Sequence, residues 1–290
     1  MKRLMFTVAR GKPRYAEMAM GLGRSLSLIG DETPRAVLTD IEGYDWAKYF
    51  DFVWKPTEPR SALDKLFAIQ FGEFDAVYAI DGDCLAFKRL DPVFAHCRAM
   101  PLAVQGTWQT EGKWHGAEVA SVLAKENLAK LPKFNGGALY YEKGPDFDRL
   151  LESMRDIEGN YADTGFGDFR GNASEEVCVA LAMMRTGIGQ VISDDTDFMN
   201  TGAGIIGKLH LDVTSNTCRF LSRKQKVRYV EPYVFHASEY CNFSTYWRQL
   251  DLLKRLEKYE DTHRPGYRSR WFKFRRSLAR RLLKLQGRIE

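Results

Sequence analysis

The first forty residues restrict the fold more than any other part of the chain. Arg3 to Ala9 reads as a strand and Arg10-Gly11-Lys12-Pro13 as a turn. A helix follows, because Tyr15, Met18, Leu22, Leu26 and Ile29 recur at spacings of 3, 4, 4 and 3 and so share one face. Gly30-Asp31 ends it. Arg35 to Thr39 is a second strand, closing on Asp40. Strand, helix and strand in this order imply a right-handed crossover and a parallel sheet.

The same logic carries on to a pair of acids. Phe52 to Trp54 reads as a short strand. Ser61 is expected to cap a helix, with Asp64 as its capping-box partner and Leu63, Leu66, Phe67 and Phe71 on the inner face. Ala76 to Ile80 is an apolar run that reads as a buried strand, and it ends in Asp81-Gly82-Asp83. Residues two apart in an extended chain point to the same side, so both carboxylates can converge on one ligand. Their oxygens suit a hard divalent cation, Mg²⁺ or Mn²⁺. An acidic turn is the alternative reading. In open α/β sheets ligands bind beyond the carboxyl ends of the strands, which is where these acids fall. No Gly-x-Gly-x-x-Gly or Walker loop accompanies them.

Past Phe87 the pattern loosens. Pro92 to Met100 reads as a short helix or turn, Leu102 to Gln105 as a strand and Glu118 to Leu128 as a helix. Phe134 to Tyr141 reads as one strand entered through Asn135-Gly136-Gly137, and Asp146 to Ile157 as a helix. Asn160 to Gly171 is expected to be a loop over the site. Asn172 is expected to cap a helix with Glu175 in its first turn. Short strands at Gln190–Ile192, Leu209–Val213, Thr217–Leu221, Val227–Val230 and Tyr233–His236 precede a helix over Tyr246–Tyr259. There is no internal repeat, so residues 1–260 read as one domain and 261–290 as a tail.

Charge separates those two parts. From Thr262 to Glu290 there are ten Lys/Arg and one acid, a net +9 against +5 for the whole chain, so the remainder carries −4. Trp271, Phe274, Leu278, Leu282 and Leu285 fall on one helical face, with Arg275, Arg276, Arg280, Arg281, Lys284 and Arg288 around them. Such a helix lies flat on an anionic membrane surface, which makes residues 264–288 the membrane-facing segment. No nucleic-acid recognition motif appears in the body. No apolar run approaches the roughly 20 residues of a membrane span. The five cysteines match no zinc or redox spacing and read as reduced thiols of a cytoplasmic protein, peripheral at the inner face of the membrane.

The order of these features resembles a known group. The opening β-α-β, Lys65, Asp81-Gly82-Asp83, Phe134-Asn135-Gly136-Gly137, Asn172-Ala173-Ser174-Glu175-Glu176 and Phe235-His236 together are similar to the GT-A (Rossmann-like) nucleotide-diphospho-sugar transferase fold. The closest likeness is to the glycogenin and bacterial lipooligosaccharide galactosyltransferase family. The resemblance implies an α/β fold with a mostly parallel central sheet flanked by helices, and a metal-dependent transferase. Such an enzyme moves sugar from a nucleotide-sugar, a UDP-sugar above all, to a glycan or glycolipid acceptor with retention at the anomeric carbon.

By that resemblance Asp81, Asp83 and His236 hold Mn²⁺ or Mg²⁺. Thr7, Ala9, Arg10, Lys12, Asp40, Lys65, Gly82, Asn135, Gly136 and Gly137 join Asp81 and Asp83 around the donor, and Glu175 and Glu176 serve catalysis. Two departures stand out. His236 is followed by Ala237-Ser238-Glu239-Tyr240 rather than by the family's Gly and Lys-Pro, and Ser174 stands where the family has Asp. Lys65 has an alternative reading as an exposed helix lysine, His236 as a structural histidine and Lys12 as a solvated turn residue. At the level of the whole chain the rivals are a sugar-nucleotide nucleotidyltransferase and a non-catalytic binding protein on a transferase scaffold.

Overall fold

A computed structural model describes residues 1–169, 171–223 and 227–262. The tail after residue 262, including the membrane-facing stripe expected there, lies outside the described residues.

Strands β1 (Arg3–Ala9), β2 (Arg35–Thr39) and β3 (Phe52–Trp54) have the expected bounds, as does β4 (Ala76–Ile80), and α1 (Pro13–Leu28) makes the first crossover. β1 pairs in parallel with both β2 and β4. β2 and β4 are buried along their whole length, which explains their unbroken apolar sequences. The chain continues through β5 (Cys84–Ala86), α2 (Asp91–His96), β6 (Leu102–Gln109), a small hairpin of β7 (Lys113–Trp114) and β8 (Ala117–Glu118), and α3 (Val119–Glu126). Next come β9 (Leu131–Phe134), β10 (Ala138–Glu142), α4 (Pro145–Gly159), α5 (Glu175–Thr186) and β11 (Gln190–Ser193). The central sheet has the order β11-β6-β10-β4-β1-β2-β3, with β9 added on β6. Only β9 and β10 run against the other strands of this sheet among the described residues.

Alternate residues of the sheet feed two cores. Leu4, Phe6, Leu38, Val77, Ala79, Leu139 and Tyr141 pack against α4 and α5. Met5, Val37, Tyr78, Ile80 and Tyr140 pack against α1 and α2. The remaining elements are β12 (Met199–Thr201), β13 (Ile205–Asp212), β14 (Thr217–Ser222), β15 (Arg228–Val230), β16 (Val234–His236) and α6 (Ser244–Thr262). β12, β16 and β5 form a second small sheet. α6 lies on α1 so closely that a Cβ at Gly21 would stand 2.3 Å from Leu250 Cδ2. No helix of the described residues is long and apolar enough to cross a membrane.

Three sequence expectations are corrected. The segment after Ser61 forms two 3₁₀ turns, Asp64–Leu66 and Ala68–Phe71, rather than a helix. Tertiary bonds take its backbone groups instead: Tyr141 Oη donates to the Lys65 carbonyl at 2.7 Å, and Ala62 N–H donates to Glu158 at 2.8 Å. Phe134 to Tyr141 is not one strand, because Asn135-Gly136-Gly137 is a turn between β9 and β10. Asn172 does not cap α5; it pairs with Phe169, and Ser174 occupies the cap position. The expected loop over Asn160–Gly171 contains a 3₁₀ turn at Tyr161–Thr164, and Tyr161 and Phe166 are core residues.

Candidate metal and donor site

The site grows from the end of β4. Asp81 N–H donates to the Gly137 carbonyl at 2.8 Å, and Cys84 N–H donates to the Asp81 carbonyl at 3.1 Å. These bonds fold Asp81-Gly82-Asp83 into a turn against α1, where a Cβ on Gly82 would lie 3.5 Å from the Ala19 nitrogen. β5 leaves this turn and pairs antiparallel with β16, setting His236 opposite Cys84. Ala237 N–H then donates to the Asp83 carbonyl at 3.1 Å. Strand pairing therefore returns a residue more than 150 positions downstream to the two acids. His236 Nε2 stands 3.3 Å from Asp83 Oδ1 and 3.7 Å from Asp81 Oδ2.

The imidazole is held by its other nitrogen. His236 Nδ1 is 2.7 Å from Asn135 Oδ1, which also accepts the Gly137 N–H at 3.1 Å. An amide oxygen only accepts, so Nδ1 carries the proton, and in the neutral ring the Nε2 lone pair faces the carboxylates. Burial disfavours the charged imidazole, but Asp83 and Asp81 outweigh it and hold the His236 pKa above its ordinary value. Burial would also raise Asp83, and His236 more than reverses that. Two carboxylates and one imidazole nitrogen, whose donor atoms lie within 4.8 Å of one another, suit Mn²⁺ well, since nitrogen is a poor ligand for Mg²⁺. The residues present thus fit a divalent cation.

Behind this cluster stands Lys65, which is not the exposed lysine of its alternative reading but 7% accessible. Its Nζ lies 2.8 Å from Asp81 Oδ1 and 3.0 Å from Glu175 Oε2, and it donates to the Gly136 carbonyl. Burial penalises the ammonium, yet the two carboxylates more than offset this, and Lys65 stays charged. Burial likewise pushes the Glu175 carboxyl up, against the pull of Lys65. Glu175 Oε1 is buried with no hydrogen-bond partner. Glu176 is fully engaged: Oε1 accepts the Gly136 N–H at 2.7 Å, and Oε2 lies 2.9 Å from His115 Nε2. Burial opposes its ionisation, but His115 and the Gly136 amide keep its pKa below the usual carboxylate value. The Gly136 peptide is thereby gripped at both ends, by Glu176 and by Lys65.

The other expected residues spread along the same edge of the sheet. Ala9 and Thr39 are register partners, which brings Arg10 and Asp40 together: Gly11 N–H donates to Asp40 Oδ1 at 2.7 Å, and Arg10 Nε lies 3.5 Å from Asp40 Oδ2. Arg10 also binds Asp64 Oδ2 at 2.9 Å and the Glu58 carbonyl at 3.0 Å. Thr7 and Ala9 are buried in β1, and the Thr7 hydroxyl has no partner. Lys12 is exposed at the start of α1. His115 escaped the sequence reading. Its only signal is a Trp-His-Gly run between two very short strands, where His115 itself takes φ 41°.

No protein-family model matches the chain, and no curated protein matches it. Among solved structures it is similar to the galactosyltransferase LgtC in complex with donor and acceptor sugar analogues. That match has 14% identity and a TM-score of 0.56, over 91% of this chain and 98% of that one. It also matches the apo form of the glycosyltransferase GlyE from Streptococcus pneumoniae TIGR4, at 15% identity and a TM-score of 0.45, over 69% of this chain and 46% of that one. The chain thus spans less than half the length of the GlyE chain. The match to LgtC, together with the mostly parallel sheet between helices, gives this chain the GT-A-like fold expected from its sequence.

Proposed function

We propose that the protein is a metal-dependent glycosyltransferase that moves a sugar from a nucleoside-diphosphate sugar, a UDP-sugar in the first instance, to an acceptor hydroxyl. The observation that carries this reading is the Asp81–Asp83–His236 cluster at the carboxyl edge of a GT-A-like sheet, with His236 oriented by Asn135. In the reaction the bond between the anomeric carbon and the β-phosphate oxygen breaks. The nucleoside diphosphate leaves with the electron pair, and the acceptor oxygen bonds to the carbon and gives up its proton. A bound divalent cation would neutralise charge on the departing diphosphate.

The protein's own groups divide the remaining work. Asn135 and Gly137 fix the imidazole. Lys65 pairs with one oxygen of Asp81 and leaves the second on the side of His236. Glu175, with one free oxygen, is the carboxyl available to donor sugar or acceptor. Glu176, with both oxygens taken, positions the Gly136 turn. A nucleotidyltransferase would need a free cationic loop after β1, and the engagement of Arg10 by Asp64 and Asp40 argues against it. We assign residues 1–260 to the transferase domain and retention to the reaction. The basic sequence of residues 264–288 supports a cytoplasmic enzyme resting on an anionic membrane and acting on a glycan or glycolipid.

Calorimetry tests the central claim. UDP should bind at least about tenfold more tightly with Mn²⁺ than with EDTA, and Asp83→Asn should remove that difference. Metal-independent UDP binding, or no donor hydrolysis across a panel of nucleotide sugars, would reject the function. Co-sedimentation of full-length and truncated protein with anionic and neutral liposomes tests the membrane reading, which equal pelleting of the two would reject.

A further inference from the structure

A metal site of two carboxylates and a histidine neutralises only part of a diphosphate, so a second cation is needed beside it. The obvious candidates are spent or badly placed. Lys65 is buried between Asp81 and Glu175. The Arg10 side chain is only 10% exposed and is bound by Asp64, Asp40 and the Glu58 carbonyl. The segment after His236, Ala237-Ser238-Glu239-Tyr240-Cys241-Asn242, has no Lys or Arg.

Resting on the proposed function, we propose that Arg14 is the diphosphate-binding cation, delivered from α1 to the turn that follows His236. Arg14 sits in the first turn of α1 and is exposed. Its Nη2 lies 3.7 Å from Cys241 Sγ, within the 3₁₀ turn Ser238–Asn242 directly after β16. A thiol is a weak acceptor, so this contact places the guanidinium without consuming it. No carboxylate of the described residues forms an ion pair with Arg14. Glu17, one turn further along the same helix, is held by Lys254. The metal-ligand turn packs on the same helix, at Ala19. α1 therefore carries Arg14 five residues before the point where Asp81-Gly82-Asp83 packs, and the contact with Cys241 brings the guanidinium to the turn after His236. The positive end of this 16-residue helix adds to the attraction for an anion.

The guanidinium has the geometry for the task. Its planar fork binds two phosphate oxygens at once, which an ammonium does not. Lys12 is also exposed, but among the described residues no hydrogen bond or ion pair ties it to the turn after His236. The arrangement supplies from the N-terminal helix the positive charge that the loop after His236 lacks.

The test is calorimetry on the full chain with Mn²⁺ and, in turn, UDP, UMP and uridine. Arg14→Ala should weaken UDP binding by about ten- to a hundredfold, as expected for loss of a charge-assisted contact. It should leave uridine binding and the affinity for Mn²⁺ alone unchanged. Arg14→Lys should recover part of the UDP affinity. UDP binding by Arg14→Ala within twofold of the unsubstituted protein overturns the assignment while leaving the glycosyltransferase reading intact. Loss of Mn²⁺ affinity in Arg14→Ala also overturns it, because the residue would then act through the metal site. Failure of the unsubstituted protein to bind UDP, ADP or GDP with Mn²⁺ overturns both.

Discussion

Buried Lys65 and half-buried Asp81 form an ion pair of 2.8 Å inside the cluster that could hold a metal. The ammonium takes Oδ1 of the carboxylate and leaves Oδ2 on the side of His236. One oxygen is thus structural and the other is available to a cation. The same ammonium neutralises Glu175 at 3.0 Å, so three elements of different sequence origin are tied by a single charge.

Removing that charge should be costly. Lys65→Met leaves largely sheltered Glu175 and half-buried Asp81 without their shared counter-ion, and breaking a buried pair from one side costs up to about 3–5 kcal/mol. Thermal unfolding should show the loss. Adding Glu175→Gln should recover a good part of it, because one of the two orphaned charges is then gone. If the double variant is no more stable than the single one, Glu175 is not the group that Lys65 neutralises.

Gly137 and Gly136 are adjacent but should respond differently to alanine. A Cβ at Gly137 would stand 2.3 Å from His236 Nδ1 and 2.9 Å from Asn135 Oδ1, whereas one at Gly136 would meet nothing nearer than Glu176 Cγ at 3.2 Å. Gly137→Ala should displace the imidazole and weaken Mn²⁺ binding by about tenfold or more, as loss of a ligand's orienting partner does. Gly136→Ala should cost severalfold less. Electron paramagnetic resonance of bound Mn²⁺ measures both, and equal losses would show that His236 is not a ligand.

The parts of this molecule that could be read from sequence are those governed by burial. β1, β2, β3 and β4 have apolar runs bounded by turn residues, and the acids Asp81 and Asp83 follow directly on β4, although a turn through Gly82 rather than strand alternation brings them together. His236 was legible only through the resemblance, since the apolar run through Val234 and Phe235 marks a strand end and not a ligand. The segment around Lys65 was not. Its 3₁₀ turns are set by Tyr141 and Glu158, residues about 75 to 95 positions away, and local spacing carries no trace of such bonds. His115 was hidden likewise, because its partners Glu176 and Ser174 lie 61 and 59 positions on. Arg10 was legible as a basic residue near the site but not as a saturated one, since Asp64 reaches it from another segment.

The His115–Glu176 contact should behave as one unit. Both side chains are largely sheltered, 15% and 21% exposed, and hydrogen bonds to charged groups contribute about 1.5–3 kcal/mol. In a double-mutant cycle of His115→Ala and Glu176→Gln, denaturant unfolding should give a coupling of about 1 kcal/mol or more. Additive losses would mean that the 2.9 Å contact carries no energy and that Glu176 is held by the Gly136 amide alone.

The attachment of α6 should be sensitive to acid through Glu257. This carboxylate binds Arg24 of α1 at 2.9 Å and also pairs with Lys48. Burial works against its ionised form, but Lys48 and Arg24 overcome it and hold the pKa at about 2 against an ordinary 4.5. A carboxyl with a lowered folded pKa binds its proton more readily in the unfolded chain. Its stabilisation is therefore complete above about pH 4.5 and is lost as the pH falls toward 2. Glu257→Gln should thus be less stable than the unsubstituted protein by about 1 kcal/mol at neutral pH, the scale of a partly exposed ion pair. The two stability curves should converge as the pH is lowered through that window. The gap should also shrink in high salt, where the Arg24 and Lys48 charges are screened. A gap that stays constant from pH 6 to pH 2 would place the effect of the substitution in packing rather than in charge, and α6 would then owe its position to the contact of Leu250 with Gly21.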